Sequence, residues 1–322
     1  MQSRIRTLLL AFGLDLVFGD PPNAFHPVAW MGNLVASAMR VRPRRNASNE
    51  LVFGAGVVLA GSFLVTGVGK MIESGLTMLR NSTGGTLAGW LVEAALLKST
   101  FSLRGLNCAA KETQEALERG DIPSARASLS RHLVSRDTST LDESQISAAV
   151  IESIAENTSD GILSPLLYYF AGGLPLALAY RFVNTADSML GYHTPDMEWL
   201  GKAPARLDDL MNTLPSRLTG AITVFSTLFT GGSLRRSWRI MLRDARKTQS
   251  PNAGYPMSAM AGALGVELEK VGHYRLGFGG RKPGIADIRR ARITMFITTA
   301  IAVGLVCLLP FWSMAKSGGS KR

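Results

Sequence analysis

The sequence predicts an all-α fold, a polytopic integral membrane helical bundle with cytoplasmic helical loops. Three observations predict it. The chain of 322 residues is 46% hydrophobic and 18% charged, with a mean hydropathy of +0.14. About five apolar stretches approach the roughly 20 residues that a spanning helix needs. The basic excess, 35 lysines and arginines against 24 acids, collects in two places, as it does in inner-membrane proteins with basic cytoplasmic loops. The same composition excludes a disordered chain. Two cysteines exclude a disulfide scaffold, and Cys108 and Cys307 read as buried small hydrophobes.

The elements follow in order. Thr7–Phe18 spans only 12 residues, contains Asp15, and is followed by Gly19-Asp20-Pro21-Pro22 rather than a small-x-small cleavage site. It therefore reads as a short helix tucked against the bundle or lying at the interface, not as a signal peptide. Residues 51–69 carry no charge over 19 positions, and residues 293–312 none over 20. Residues 162–180 are also uncharged but hold Pro165, Gly172, Gly173 and Pro175, which permit a broken or re-entrant helix. Residues 86–103 are apolar apart from Glu93 and Lys98, and 218–234 are uncharged but short. These five are the candidate membrane segments of a single membrane domain over 1–322. The stretches 104–160, 181–217 and 235–290 read as polar helical segments. In the first, Gly120-Asp121-Ile122-Pro123 breaks one helix, and a second follows from Ser124.

Charge sets the orientation. Residues 234–292 hold 13 lysines or arginines and 4 acids, a net +9. Arg40, Arg42, Arg44 and Arg45 form a second cluster. Five spans from a cytoplasmic N-terminus place both clusters inside, which predicts a multi-pass protein of the bacterial cell (inner) membrane. A nucleic-acid binder, suggested by the pI near 10, is excluded because the charge lies in loops between apolar segments and lacks interleaved aromatics.

Polar residues gather beside the apolar segments, where ionisable groups point to function. Glu152, Glu156 and Asp160 are spaced i, i+4, i+8, so a helix would stack them on one face. A divalent cation offsets such repulsion; Mg²⁺ takes one or two carboxylates and then phosphate oxygens. The bland reading is a solvated acidic helix end. Asn184-Thr185-Ala186-Asp187 repeats the chemistry of Glu156-Asn157-Thr158-Ser159-Asp160, with helix capping as the alternative. Arg206, Asp208, Asp209 and Asn212 form a third cluster, whose bland reading is a surface ion pair. Arg235, Arg239, Arg243 and Arg246 make a basic stripe suited to anionic lipid. Ser250-Pro251-Asn252-Ala253-Gly254-Tyr255-Pro256 then predicts a tight turn able to face an anion. None of the four histidines pairs at zinc spacing.

Seven strings, in order and covering about Asp15 to Gly284, resemble the adenosylcobinamide-phosphate synthases of cobalamin biosynthesis. They are Asp15-Leu16 with Gly19-Asp20-Pro21; His26-Pro27-Val28 with Met31-Gly32; Arg136-Asp137-Thr138; Glu152 through Gly161; Asn184 through Met189 with Gly191-Tyr192; Ala205 through Asp209; and Ser250 through Pro256. The resemblance implies an integral membrane acid–amine ligase. It would join the carboxylate of adenosylcobyric acid to aminopropanol or its phosphate, with ATP and Mg²⁺. For that chemistry the residues expected to act are Arg136 and Arg206 on phosphate charge, and Asp137 or Asp208 as acceptor of the amine proton. Glu156, Asp160, Asp187 and Asp209 are the expected metal ligands. Asp20, His26, Asn157, Asn184, Asn252 and Tyr255 are expected on substrate. A metal-dependent transferase using a phosphorylated or isoprenoid substrate, and a non-catalytic corrinoid-binding membrane protein, fit the same clusters. The amine, homo-oligomerisation and the number of spans stay open. One geometric demand is definite. A straight helix over 162–180 rises roughly 30 Å, so its two polar ends meet only if it is broken.

Overall fold

The computed structural model describes residues 2–43, 46–81, 85–191 and 197–318, with side chains described as far as residue 308. Arg44, Arg45 and Tyr192 lie outside the described residues. In chain order the helices are α1 (Gln2–Phe18), α2 (Pro27–Met39), α3 (Ala47–Asn81), α4 (Thr86–Lys98), α5 (Leu103–Glu118), α6 (Ile122–His132), α7 (Glu143–Asn157), α8 (Ser164–Leu190), α9 (Glu198–Thr230), α10 (Leu234–Asp244), α11 (Gly254–Leu264) and α12 (Ile285–Gly318). A 3₁₀ turn covers Asn23–Phe25 and a π-helical turn Thr158–Leu163. One antiparallel hairpin, β1 (Leu268–Lys270) with β2 (Tyr274–Leu276), sets Lys270 opposite Tyr274. The fold is all-α apart from this short hairpin and one isolated bridge between Val266 and Arg281.

Three stretches of helix are long and apolar enough to cross a membrane: Ala47–Asn81, Glu143–Leu190 and Ile285–Leu308. They contain the predicted segments 51–69, 162–180 and most of 293–312. Of the other two, residues 86–103 yield α4 with 13 residues, a rise of about 20 Å. Residues 218–234 end α9, which begins as a polar helix at Glu198. In the apolar window of α3 only 17% of residues are buried, so most of its greasy surface meets no protein. That is the pattern of a helix facing lipid rather than water.

By contact the chain groups into two compact units, one of residues 1–102 and 164–212, the other of 103–163 and 213–322. In the first unit α3 runs along α8, α1 lies on α4, and α2 packs on α8. Close approach of α3 to α8 depends on small residues. A Cβ at Gly61 would run into the ring of fully buried Phe182.

Helix α8 is broken in the middle. Gly172 has φ −139° and ψ 19°, Gly173 has φ +74° and ψ −164°, and Pro175 follows. The second pair of angles lies in a region open essentially to glycine alone. Pro175 has no N–H to continue the ladder. The freed backbone is answered by a charge: Arg4 of α1 donates from Nη1 to the carbonyl of Phe170 at 2.7 Å. Beside it lies a cluster of ionisable groups. Glu93 of α4, nearly fully buried, accepts from Tyr169 Oη at 2.8 Å and Thr7 Oγ1 at 3.2 Å, and pairs closely with Arg80. A carboxylate this deep is tolerated because each oxygen has partners.

The break reverses the chain. Ser164 Oγ and Tyr180 Oη both donate to Asn212 Oδ1, at 2.9 and 2.8 Å, and Tyr168 stacks on Tyr180 with ring centroids 5.1 Å apart. Residues 164 and 180 would be about 24 Å apart along an unbroken helix. The segment 162–180 therefore reverses its direction at Gly172–Gly173.

In the second unit α7 is buried continuously from Ile146 to Ala155, on all sides, as a central helix must be. It packs against α5, α6, α11, α12 and β1. Its start is fixed by a capping box: Asp142 accepts from the Gln145 N–H, and Gln145 accepts from the Asp142 N–H. Asp121 caps α6 by accepting from the Ser124 N–H, close to the predicted helix start. Cys108 corrects an expectation. It is exposed, because the face of α5 that packs is that of Ala110, Thr113 and Leu117, opposite Cys108 on the helix.

The reversal in α8 can be tested at its tightest position. Gly173→Ala forces a strained φ and drives a Cβ into Glu73 Oε1. Its thermal unfolding midpoint in detergent should fall by an amount equivalent to about 1–3 kcal/mol. Gly67→Ala, where nothing lies within 4 Å of a Cβ, should leave the midpoint unchanged or higher.

Candidate functional site

The best-defined polar site of the first unit is built around Asp208. This residue enters from α9, and Asn184 and Arg181 enter from the returning arm of α8. Asn184 Nδ2 donates to Asp208 Oδ1 at 3.2 Å, and Asn212 Nδ2 donates to Oδ2 at 2.9 Å. The orientation of each amide is imposed by what its oxygen accepts. Arg181 Nη1 donates to Asn184 Oδ1 at 3.1 Å, while Ser164 and Tyr180 donate to Asn212 Oδ1. Both amides must therefore present N–H groups to position 208, and only an acceptor on both oxygens satisfies them. Asp208 is 8% exposed. Burial pushes its carboxyl above the ordinary range, against the two amide donors, and neighbouring Asp209 adds to the rise. The result is a carboxylate with ordered donors and a raised affinity for a proton.

The other predicted residues of this unit distribute around it unevenly. Asp187 lies one helical turn from Asn184 and is half-buried; a Cβ on Gly191 would collide with its carboxylate. Arg206 is largely exposed, 77% by side chain, and sits 4.0 Å from Asp209 Oδ2 at i+3. The pair matches the bland ion-pair reading. Asp20 belongs to a different cluster. It pairs closely with Lys98 and Ser102 and lies 3.7 Å from His26 Nε2, while Lys98 also reaches Asp15 at 3.4 Å. Burial raises the Asp20 carboxyl, but the bonds from His26, Lys98 and Ser102 outweigh it and hold it far below the usual carboxylate range. Asp20 is thus a fixed negative charge, 36% exposed by side chain, able to hold a cation. His26 also acts through its other ring nitrogen, since Nδ1 accepts from the Val28 N–H and caps α2.

The second unit holds its own polar site. Glu152 on α7 is 6% exposed, with Arg136 Nη2 3.9 Å from Oε2 and no hydrogen bond to Oε1. The hairpin brings Lys270 and Tyr274 to the same place. Burial, and then the charges of Glu152 and Glu156, push the Tyr274 hydroxyl well above the usual phenol range. Glu152 and Glu156 lie one turn apart on α7, and Asp160 follows in the π-helical turn from Thr158 to Leu163. Asn157 turns back on its own helix, donating to Ser153 O at 2.9 Å. Asp137 is exposed and closes a turn by accepting from Ser139 N and Oγ, both at 2.9 Å; these bonds hold its carboxyl low, which makes it a poor proton acceptor. Elsewhere in the unit Arg217 joins two predicted residues. It donates to Asn252 Oδ1 at 3.0 Å and lies over the Tyr255 ring at 4.4 Å. The basic stripe of α10 is anchored by buried Asp244, which binds Arg243, Lys247 and the Gly277 N–H.

Among the described residues no three acids, histidines or cysteines gather as a metal-ligating group. The donor chemistry nonetheless fits Mg²⁺, which takes one or two carboxylates and leaves its other positions to water and phosphate. Glu152 Oε1, buried one turn from Glu156 and without a hydrogen-bond partner among the described residues, is such a donor.

Comparison with known proteins gives the family. The model of the CobD/Cbib protein family matches residues 8–303. The chain belongs to the CobD/Cbib family. It is 43% identical to the cobalamin biosynthesis protein CobD of Dehalococcoides mccartyi over 269 residues, 84% of this chain and 85% of that one. It is 38% identical to the probable cobalamin biosynthesis protein CobD of Methanothermobacter thermautotrophicus, covering 96% of this chain and all of the relative. A CobD from Geobacter metallireducens is 42% identical over 280 residues, 87% of this chain and 86% of the relative. No solved structure matches the chain.

Several site residues were not singled out from the sequence: Arg181, Tyr180, Ser164, Lys98, Lys270 and Tyr274. Lys98 carried a signal, a lone charge in an apolar run. Lys270 and Tyr274 carried none, because a three-residue strand has no readable period.

The ordered donors at position 208 make a reciprocal test. Asp208→Asn sets one amide donor against another and should cost about 1–3 kcal/mol in unfolding free energy. Asp208→Asn with Asn212→Asp restores every donor–acceptor match and should recover most of that loss in detergent melts. If the double variant melts no higher than the single one, the assigned hydrogen-bond directions are wrong.

Proposed function

We propose that this protein acts in cobalamin biosynthesis as an amide ligase in the bacterial inner membrane, with its basic loops cytoplasmic. It would join adenosylcobyric acid to aminopropanol or aminopropanol phosphate at the expense of ATP. The observation that carries the reading is the family match across residues 8–303, with relatives named for cobalamin biosynthesis. The site chemistry supports it. A carboxylate is a poor acyl donor, so a phosphoryl group from ATP first forms an acyl phosphate and releases ADP. The amine nitrogen then bonds to the acyl carbon, the C–O bond to phosphate breaks, and the amine gives up a proton.

That proton needs an acceptor. Of the two aspartates expected in the role, Asp208 is suited and Asp137 is not. Burial raises the proton affinity of Asp208, whereas Ser139 lowers that of Asp137. Asn184 and Arg181, joined to Asp208, orient polar groups of the substrate. Asp20 offers a fixed charge to an ammonium group. Arg136, Glu152, Glu156 and Lys270 form a mixed acid–base cluster of the kind that handles phosphate. Mg²⁺, when bound through Glu156 and Glu152, would supply charge neutralisation on phosphate oxygens.

Purified protein in detergent, given adenosylcobyric acid, aminopropanol phosphate, ATP and Mg²⁺, should yield a corrinoid whose mass equals the two reactants less one water, with one ADP per product. Asp208→Asn with Asn212→Asp should keep the fold and lose at least 100-fold in rate. Absence of product with the wild-type protein, with either amine, would remove the ligase assignment.

A further inference from the structure

We infer that the first unit holds one acyl chain of an anionic phospholipid in a groove between α2, α3 and α8, with the headgroup at the α2–α3 connection. The groove has a volume of about 640 Å³. Its walls include Leu34 of α2, Val41 just beyond its end, Phe53, Val57 and Leu64 of α3, and Phe182 of α8. Ser37 is the one polar side chain among the lining residues. A corrinoid, a nucleotide or an amino alcohol would lose its hydrogen bonds to water here and regain almost none. An acyl chain loses nothing.

Dimensions agree with that occupant. The α3 wall runs from Val52 to Leu64, a rise of roughly 18 Å. One leaflet of a ~30 Å hydrocarbon core is about 15 Å deep. Small residues make the hollow. A Cβ at Gly56 would meet nothing within 4 Å, so the space is open there, whereas at Gly61 the Phe182 ring closes the floor. The rim is apolar and uncovered: Val41 is 73% and Val52 71% exposed. On a helix apolar enough to cross a membrane, such a surface meets lipid tails.

Charge selects the headgroup. Arg40 is exposed directly after α2, next to the lining residue Val41, and Arg42 follows, its Nη1 3.3 Å from Met197 Sδ. Both lie at the end of the groove where α2 passes toward α3. An apolar slot with cations at one end matches an amphiphile with an anionic head. A second copy of this chain would bring the same arginines against themselves.

Native mass spectrometry of delipidated full-length protein in a neutral detergent tests this. Phosphatidylglycerol and phosphatidylcholine of identical chains are the probes, and the melting midpoint is a second readout. Wild type should retain one phosphatidylglycerol at least tenfold more tightly than phosphatidylcholine, with a raised midpoint. Gly56→Leu, which fills the open space, should lose that adduct; Val52→Trp on the rim gives the same reading should Gly56→Leu not fold. Arg40→Gln with Arg42→Gln should bind both lipids equally weakly. Equal retention of the two lipids by wild type, retention in both groove-filled variants, or a dimer that they abolish would overturn the inference.

Discussion

A helix reversed inside apolar surroundings exposes carbonyls and amides that lipid cannot satisfy, and the first unit is arranged around that need. At Gly172–Gly173 the α8 backbone leaves the helix, and Arg4 supplies a charged donor to the Phe170 carbonyl. Arg4 on α1 is thus explained by a backbone event on α8. The consequence reaches the site. Only because α8 returns do Ser164, at its start, and Tyr180, well past the break, bond the same oxygen of Asn212. That shared bond fixes the Asn212 amide, and the amide fixes what Asp208 can be.

Buried ionisable groups recur throughout, each with named partners. Glu93 has Arg80, Tyr169 and Thr7; Lys98 has Asp15 and Asp20; Asp244 has Arg243, Lys247 and Gly277. Such sets hold geometry more than they add stability, because removal of a charge from water offsets most of the attraction. Asp208 differs. Its donors are neutral amides, so burial dominates and leaves a carboxylate ready to take a proton.

Much of the architecture was legible in the sequence. Long uncharged runs named α3 and α12, and the prolines and glycines of 162–180 marked a helix able to break. Asn184 and Asp208 were picked as polar groups beside apolar segments, and they bond each other. What was not legible has physical causes. The bland and functional readings of Arg206 differ only in exposure, which composition does not reveal. The π-helical turn that holds Asp160 does not show in a pattern read at 3.6 residues per turn. Lys270 and Tyr274 reach α7 through a hairpin too short to announce itself. Cys108 looked like core by residue type, yet it lies on the outer face of α5.

The reversal of α8 is the claim on which the site depends, and a crosslink reads it directly. Tyr168→Cys with Tyr180→Cys, in a Cys108→Ser, Cys307→Ser background, places two thiols where rings now stack at 5.1 Å. Mild oxidation in native membranes, followed by peptide mass analysis, should find these two positions joined within one chain. An unbroken helix would hold them about 18 Å apart. Failure to form that bond, in a variant that still inserts and melts like the parent, would contradict the account.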